Sequence, residues 1–153
     1  MDDIDRRILS SLQQDSTLPV AEVAERAGLS TTPCWRRIQN LERSGVIQRR
    51  VALLDPQKVN VGVTVFVRVK TSQHNVDWLA RFAKGVTEIE EVMEFYRLSG
   101  DIDYLLRIVV PDIAAYDQVY KRLIAVAELA DVSSNFTMET LKYTTVLPVR
   151  YAK

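Results

Sequence analysis

The sequence predicts an α+β chain: three short helices and an extended segment, then an antiparallel four-stranded sheet carrying two helices. Three observations predict it. Apolar residues recur at helical spacing up to about residue 43, and from Val61 to Lys70 the spacing changes to strict alternation. Beyond that point, two apolar-striped helical stretches interleave with β-prone runs in the order β-α-β-β-α-β. With 153 residues, 47% of them apolar, the chain can build two small cores.

The first helix is expected over roughly Asp2 to Gln14, with Ile4, Ile8, Leu9 and Leu12 as its stripe. A second carries Val20, Val23, Ala24 and Ala27 on one side, with Pro19 tolerated in its first turn. Gly28-Leu29 leaves only a short turn before Ser30, a good N-cap residue whose side chain can accept from an amide one turn in. The third helix then runs from Ser30, with Pro33 in its first turn, to Gly45. On it, Cys34, Ile38 and Leu41 share one side. Thr32, Arg36, Gln39 and Arg43 share the other, flanked by Trp35 and Asn40.

Two short helices joined by a glycine turn, the second cationic on its free face, form the helix-turn-helix pattern. Guanidinium and amide groups on such a face bind phosphates and read base edges in a major groove, so double-stranded DNA is the expected partner. The plainer reading, a solvated helix face, suits an isolated arginine-bearing helix better than one preceded by two fitted helices. Net charge is zero, yet residues 1–30 sum to −3 and residues 31–54 to +4. Val46 to Leu54, β-prone around Arg49 and Arg50, reads as the hairpin of a winged helix, or otherwise as an extended linker. The expected DNA contacts are Thr31, Thr32, Trp35, Arg36, Gln39, Asn40 and Arg43, with Arg49 and Arg50 on the sugar-phosphate backbone. Arg37 lies nearer the buried side, as a further contact or as an internal ion-pair partner.

Asp55-Pro56 turns the chain, and residues to Gly62 complete a hinge. The winged helix-turn-helix therefore occupies 1–54, the hinge 55–62 and a second domain 63–153. Val63, Val65, Val67 and Val69 alternate with Thr64, Phe66, Arg68 and Lys70, a strand with one buried face. Val76 to Lys84 is expected as a helix with Val76, Leu79, Ala80 and Ala83 inward. Val92 to Ser99 and Tyr104 to Val110 follow as strands joined by Gly100-Asp101-Ile102-Asp103. Pro111-Asp112 opens a long helix striped by Ile113, Tyr116, Val119, Tyr120, Leu123 and Ala127, and Val132 to Leu141 is a fourth strand. Tyr143 to Val149 adds a short edge. This order is that of a ferredoxin-like sandwich with both helices on one face of the sheet. The other face, including Phe66, has no cover within the chain, and a second copy is its simplest partner.

Here the chain resembles the Lrp/AsnC family, the leucine- and asparagine-responsive regulators. The likeness lies in Ile4-Asp5-Arg6-Arg7-Ile8-Leu9, Leu29-Ser30-Thr31-Thr32-Pro33-Cys34, Arg37-Ile38, Leu41-Glu42 and Gly45-Val46-Ile47. It continues through Leu54-Asp55-Pro56, Ser99-Gly100-Asp101-Ile102-Asp103-Tyr104-Leu105-Leu106 and Val110-Pro111-Asp112, with the Gly-Asp-x-Asp-Tyr segment its most specific part. Pro19 replaces a common serine cap, and Leu129-Ala130-Asp131-Val132 a common Leu-Pro-Gly-Val turn. The resemblance implies a sequence-specific transcriptional regulator that dimerises, often assembles into octamers, and responds to a free amino acid. Thr31 to Trp35, Val51 to Pro56 and Lys142 to Thr145 look like a branch linked to cysteine sensing; leucine and methionine are the other candidate effectors. An amino acid needs an anionic partner for its ammonium and donors for its carboxylate. Asp103, or else Asp101, can supply the first, and Thr137 or the amides of the turn at Gly100 the second. Arg97, Tyr104, Asn135 and Phe136 are the expected wall, and the resemblance implies that the pocket forms here between dimers. The plainer reading of Gly100 to Asp103 is an ordinary hairpin turn.

Other chemistries are disfavoured. A nucleophilic triad needs a partnered Ser or Cys and a His; Cys34 is on the inner face of its helix, and His74 reads as an exposed loop residue. Glu88, Glu90, Glu91 and Glu94 read as a solvated acidic edge. One cysteine and one histidine argue against structural zinc or an internal disulfide and fit a reducing cytoplasm. The expectation is therefore no enzyme, metal or cofactor. No apolar run approaches the roughly 20 residues of a membrane span, and Met1-Asp2-Asp3 does not open like a signal peptide. The competing non-enzyme class is an architectural DNA-binding protein without ligand response.

Overall fold

The computed structural model describes residues 1–73 and 75–153, so the expectation for His74 lies outside the described residues. The chain forms two compact units: Met1–Leu53 together with Leu141–Lys153, and Leu54–Thr140. The sequence assigns 141–153 to the second domain; by its contacts this segment belongs with the first.

In the first unit, α1 (Asp3–Gln14), α2 (Val20–Ala27) and α3 (Thr31–Arg43) bury Ile8, Leu9, Val23, Ala24, Ala27, Cys34, Ile38 and Leu41 in one core. A capping box starts α1: the Asp2 carboxylate accepts from Asp5 N–H at 2.8 Å, and the Asp5 carboxylate from Asp2 N–H at 3.3 Å. Gly28 ends α2 at φ +74°, a left-handed conformation natural to glycine, and Leu29 N–H returns to the Ala24 carbonyl at 2.9 Å. Ser30 holds the N-cap position of α3 without a side-chain capping bond. Pro33, the third helical residue, lacks the N–H such a cap commonly reaches. The expected hairpin is absent, since Val46–Leu54 contains no strand and only Ile47 N–H bonds back, to Leu41 at 3.0 Å. Gln48-Arg49-Arg50 has no glycine or asparagine to supply the left-handed backbone of a tight hairpin turn.

In the second unit, Asp55 to Val61 is a hydrogen-bonded turn with Asn60 at φ +58°. The sheet follows, β1 (Val63–Lys70), β2 (Val92–Arg97), β3 (Tyr104–Val110) and β4 (Asp131–Phe136), antiparallel in the order β2-β3-β1-β4. Val65, Val67 and Val69 of β1 and Tyr104, Leu106, Ile108 and Val110 of β3 are buried with residues of α4 (Val76–Thr87) and α5 (Ile113–Val126). Both helices thus cover one face, as the alternation requires. α4 is rotated from its expected stripe. Trp78, Phe82 and Val86 are buried while Val76 is 80% exposed, because the two aromatics bury far more apolar area than Val76 and Ala80. Ile113, at the first position of α5, is likewise exposed and not in the stripe. β4 ends at Phe136, not Leu141: Thr137 N–H closes on the Thr64 carbonyl at 3.0 Å, where β1 itself runs out. No edge strand forms at Tyr143–Val149; a 3-10 turn at Val149–Tyr151 closes the chain.

Candidate functional sites

The outward side of α3 carries the expected DNA-reading set, with two side chains diverted. Thr31, Thr32, Trp35, Arg36, Asn40 and Arg43 are exposed, opposite buried Cys34, Ile38 and Leu41. Trp35 is 52% exposed, an indole on the surface of a small domain. Arg36 makes no hydrogen bond or ion pair among the described residues, while Arg43 leans back on Asn40 and the Gln39 carbonyl. Gln39 Nε2 donates to Glu42 at 3.1 Å, and Arg50 reaches Glu42 at 3.0 Å and the Ser16 carbonyl at 3.2 Å. Glu42 is thus an internal acceptor that the face-by-face reading missed, although its place three residues after Gln39 was visible.

Arg37 turns inward. Its Nη1 meets Asp2 at 2.7 Å and Asp5 at 2.8 Å, tying α3 to the N-terminus of α1. The Asp5 amide and then Arg37 hold the Asp2 carboxyl below its ordinary range, and the two carboxylates raise Arg37 further. Of the two roles open to Arg37 in the sequence, the ion-pair role is the one this geometry displays. Burial pushes the Cys34 thiol up, away from the reactive thiolate.

The residues expected to wall an effector site do not converge within one chain. Arg97 lies on β2 and Asn135–Phe136 on β4, the two opposite edges of the sheet. They are also offset along it, since Arg97 is level with Tyr104 and Val69 while Asn135 is level with Phe66. Tyr104 is a core residue among Trp78, Phe82 and Phe95, and Phe136 packs edge-on to Tyr116 on the helix side. Thr137 Oγ1 donates to the Thr64 carbonyl. Asp103 accepts from Thr71 N–H at 2.8 Å, so one of its oxygens holds the β1–α4 connection. Gly100, at φ +125°, and Asp101 stay exposed at the turn.

What gathers beside that turn is a cleft of about 210 Å³ lined by Arg68, Lys70, Asp101, Ile102, Asp131 and Ser133. Arg68 and Lys70 are the outward members of β1's alternation, paired across to Ser133 and Asp131. Arg68 donates to Ser133 Oγ at 3.1 Å. None of the four charged side chains is in a salt bridge among the described residues. Two cations and two carboxylates around one small cleft complement a zwitterion. The signal was legible in β1, where the alternation puts both cations on the sheet face away from the helices. Their meeting with Asp131 depends on β1–β4 register.

A three-helix unit with a cationic helix-turn-helix, followed by a ferredoxin-like domain with an uncovered sheet face, defines a DNA-binding regulator with a separate second domain. Comparison with known proteins agrees. The profile described as "Lrp/AsnC ligand binding domain" matches residues 64–147, and "Winged helix-turn-helix DNA-binding" matches 1–48. The glutamate uptake regulatory protein of Zymomonas mobilis is 52% identical over 97% of this chain and 91% of its own. Among solved structures, an AsnC family transcriptional regulator from Agrobacterium tumefaciens superposes with a TM-score of 0.97 at 64% identity over 100% of both chains. A transcriptional regulator from Neisseria meningitidis, solved with L-methionine, gives 0.92 at 35% identity over 97% of both. The chain belongs to the Lrp/AsnC family of transcriptional regulators; it joins a DNA-binding domain to a ligand-binding domain and is a regulator, not an enzyme. No helix among the described residues is long and apolar enough to cross a membrane.

Proposed function

We propose that this regulator reads double-stranded DNA as a homodimer through α3, and that a free amino acid in the cleft beside Gly100 and Asp101 changes its DNA binding or assembly. The observation that carries the DNA reading is the exposed row Thr32, Arg36 and Arg43, opposite a fully apolar inner row. Trp35, Thr31 and Asn40 border it; Arg49 and Arg50 add phosphate contacts, Arg50 after leaving Glu42. Arg37 holds α3 on α1. The uncovered sheet face, with Phe66 at 36% exposure, supports dimerisation through the C-terminal units; the octamer rests on the family alone.

For the effector, Asp101 and Asp131 are the partners of the ammonium, and Arg68, Lys70 and Ser133 those of the carboxylate. Asp103 shapes the turn instead, through its bond to Thr71. The methionine complex of the Neisseria relative supports methionine as the first candidate, with cysteine and leucine beside it. The protein would act in the cytoplasm, where its DNA lies. Thermal-shift screening of the twenty amino acids on the purified full chain tests the ligand: a binder at a hundred times its Kd stabilises by about 2.7 kcal/mol. Asp101→Asn should remove that shift while DNA binding without ligand persists. A shift of wild-type size in this variant would place the effector elsewhere.

A further inference from the structure

The C-terminal segment carries contacts that neither the DNA-reading face nor the effector cleft uses. Gln13, in the last turn of α1, meets the main chain of Leu147 with both ends of its amide. Its Nε2 donates to the Leu147 carbonyl at 3.2 Å, and Leu147 N–H donates to its Oε1 at 2.7 Å. Two turns earlier on the same helix, Arg6 donates to the Ala152 carbonyl at 2.9 Å. Between these anchors, Val149 packs against the core of Ile8, Leu9 and Ile38, and the chain closes in the 3-10 turn Val149–Tyr151. Gln13 here takes the place of a peptide group on a neighbouring strand, as in strand addition, so the docking reads backbone more than sequence. The segment also forms one wall of a groove of about 850 Å³ whose other walls include Leu9, Leu12, Ile47 and Val51.

We infer that Thr145–Ala152 is a strap completing a discontinuous DNA-binding domain, with Gln13 and Arg6 as its positioning residues. The strap seats α1, and α1 in turn holds α3 through Asp2, Asp5 and Arg37. Orientation of the reading helix therefore depends on a segment about a hundred residues away in sequence. Without it, the Arg6 guanidinium loses its Ala152 acceptor and the three-helix core loses the Val149 side chain packed on it. The inference concerns the architecture of the DNA-binding unit and stands whether or not the cleft binds an amino acid.

Hydrogen exchange and DNA affinity on the full-length protein test it, with a duplex selected by the wild-type protein from a random library. In Gln13→Ala, the Leu147 amide should exchange at least tenfold faster, α1 amides should lose protection, and β1 and β3 should be unchanged. DNA affinity should fall at least threefold at a temperature well below unfolding. Gln13→Glu keeps the acceptor for Leu147 N–H and should retain most of that amide's protection. A chain ending at Tyr143 should change α1 and affinity in the same direction and by more. If that truncation, or Gln13→Ala should the truncation not fold, leaves α1 protection and DNA affinity at wild-type values, the segment is a passive tail and the inference falls.

Discussion

Replacing Arg36 by alanine separates DNA reading from folding more sharply than any other single change. Its guanidinium is exposed and has no partner among the described residues, so nothing in the domain loses a bond when it goes. Surface changes of that kind stay within about 0.5 kcal/mol of wild-type stability. If Arg36 reads a base edge, the variant loses about 1–3 kcal/mol of binding, roughly 5- to 150-fold, and relaxes selectivity at one position of the site. If it only neutralises a phosphate, the loss is uniform across sequences, and the slope of log K against log salt shrinks by about 0.9 per contact.

Fluorescence anisotropy from low to moderate salt, on the selected duplex and on single-base variants of it, distinguishes these outcomes. A thermal melt alongside verifies the fold. Wild-type affinity, selectivity and salt slope in Arg36→Ala would refute the assignment of α3's outer face as the reading surface.

Arg37→Ala should lower the melting temperature of the N-terminal unit, since it frees Asp2 and Asp5 from their shared partner. The folded state holds Asp2 below its ordinary pKa of 3.8, so this contribution is complete above that value and lost as pH falls through the lowered one. Melts of variant and wild type should therefore differ at pH 7 and converge in acid; an equal gap at every pH would contradict the ion-pair role. Gly85→Ala should cost about 1–3 kcal/mol in urea unfolding, because a Cβ there would lie 2.4 Å from Val126 Cγ1, and adding Val126→Ala should recover part of it.

The parts of this fold set by local pattern were legible from residue types alone. β1 could be read because every second residue is valine, and all of its central ones are buried. The helix-turn-helix could be read because Gly28 and Ser30 punctuate two stripes of opposite character. α4 was misphased for a reason of magnitude: spacing counted Val76 and Ala80 equally with Trp78 and Phe82, while burial weights them by area. The C-terminal third was harder because its contacts are non-local. β4 stops opposite the start of β1, and nothing within Met138–Val149 reports that limit.

The residues expected at the effector site are spread over the sheet, and their placement identifies what a single chain can supply. Proximity to the turn at Gly100 suggested Asp103, yet the β1–β3 register brings that carboxylate to Thr71 N–H and leaves Asp101 facing the cleft. Arg97 and Asn135 are separated by two intervening strands, so no side-chain motion within the sheet brings them to one small ligand. A site using both would need groups from two copies of the chain, whereas the cleft of Arg68, Lys70, Asp101 and Asp131 is complete within one. The two arrangements respond differently to substitution. A ligand held by the cleft loses affinity when Asp101 is replaced and not when Arg97 is; one bridging two copies through the sheet edges shows the reverse. Isothermal titration of the Asp101→Asn and Arg97→Ala chains with L-methionine reads that difference directly. Loss of binding in Arg97→Ala with wild-type binding in Asp101→Asn would overturn the single-chain site.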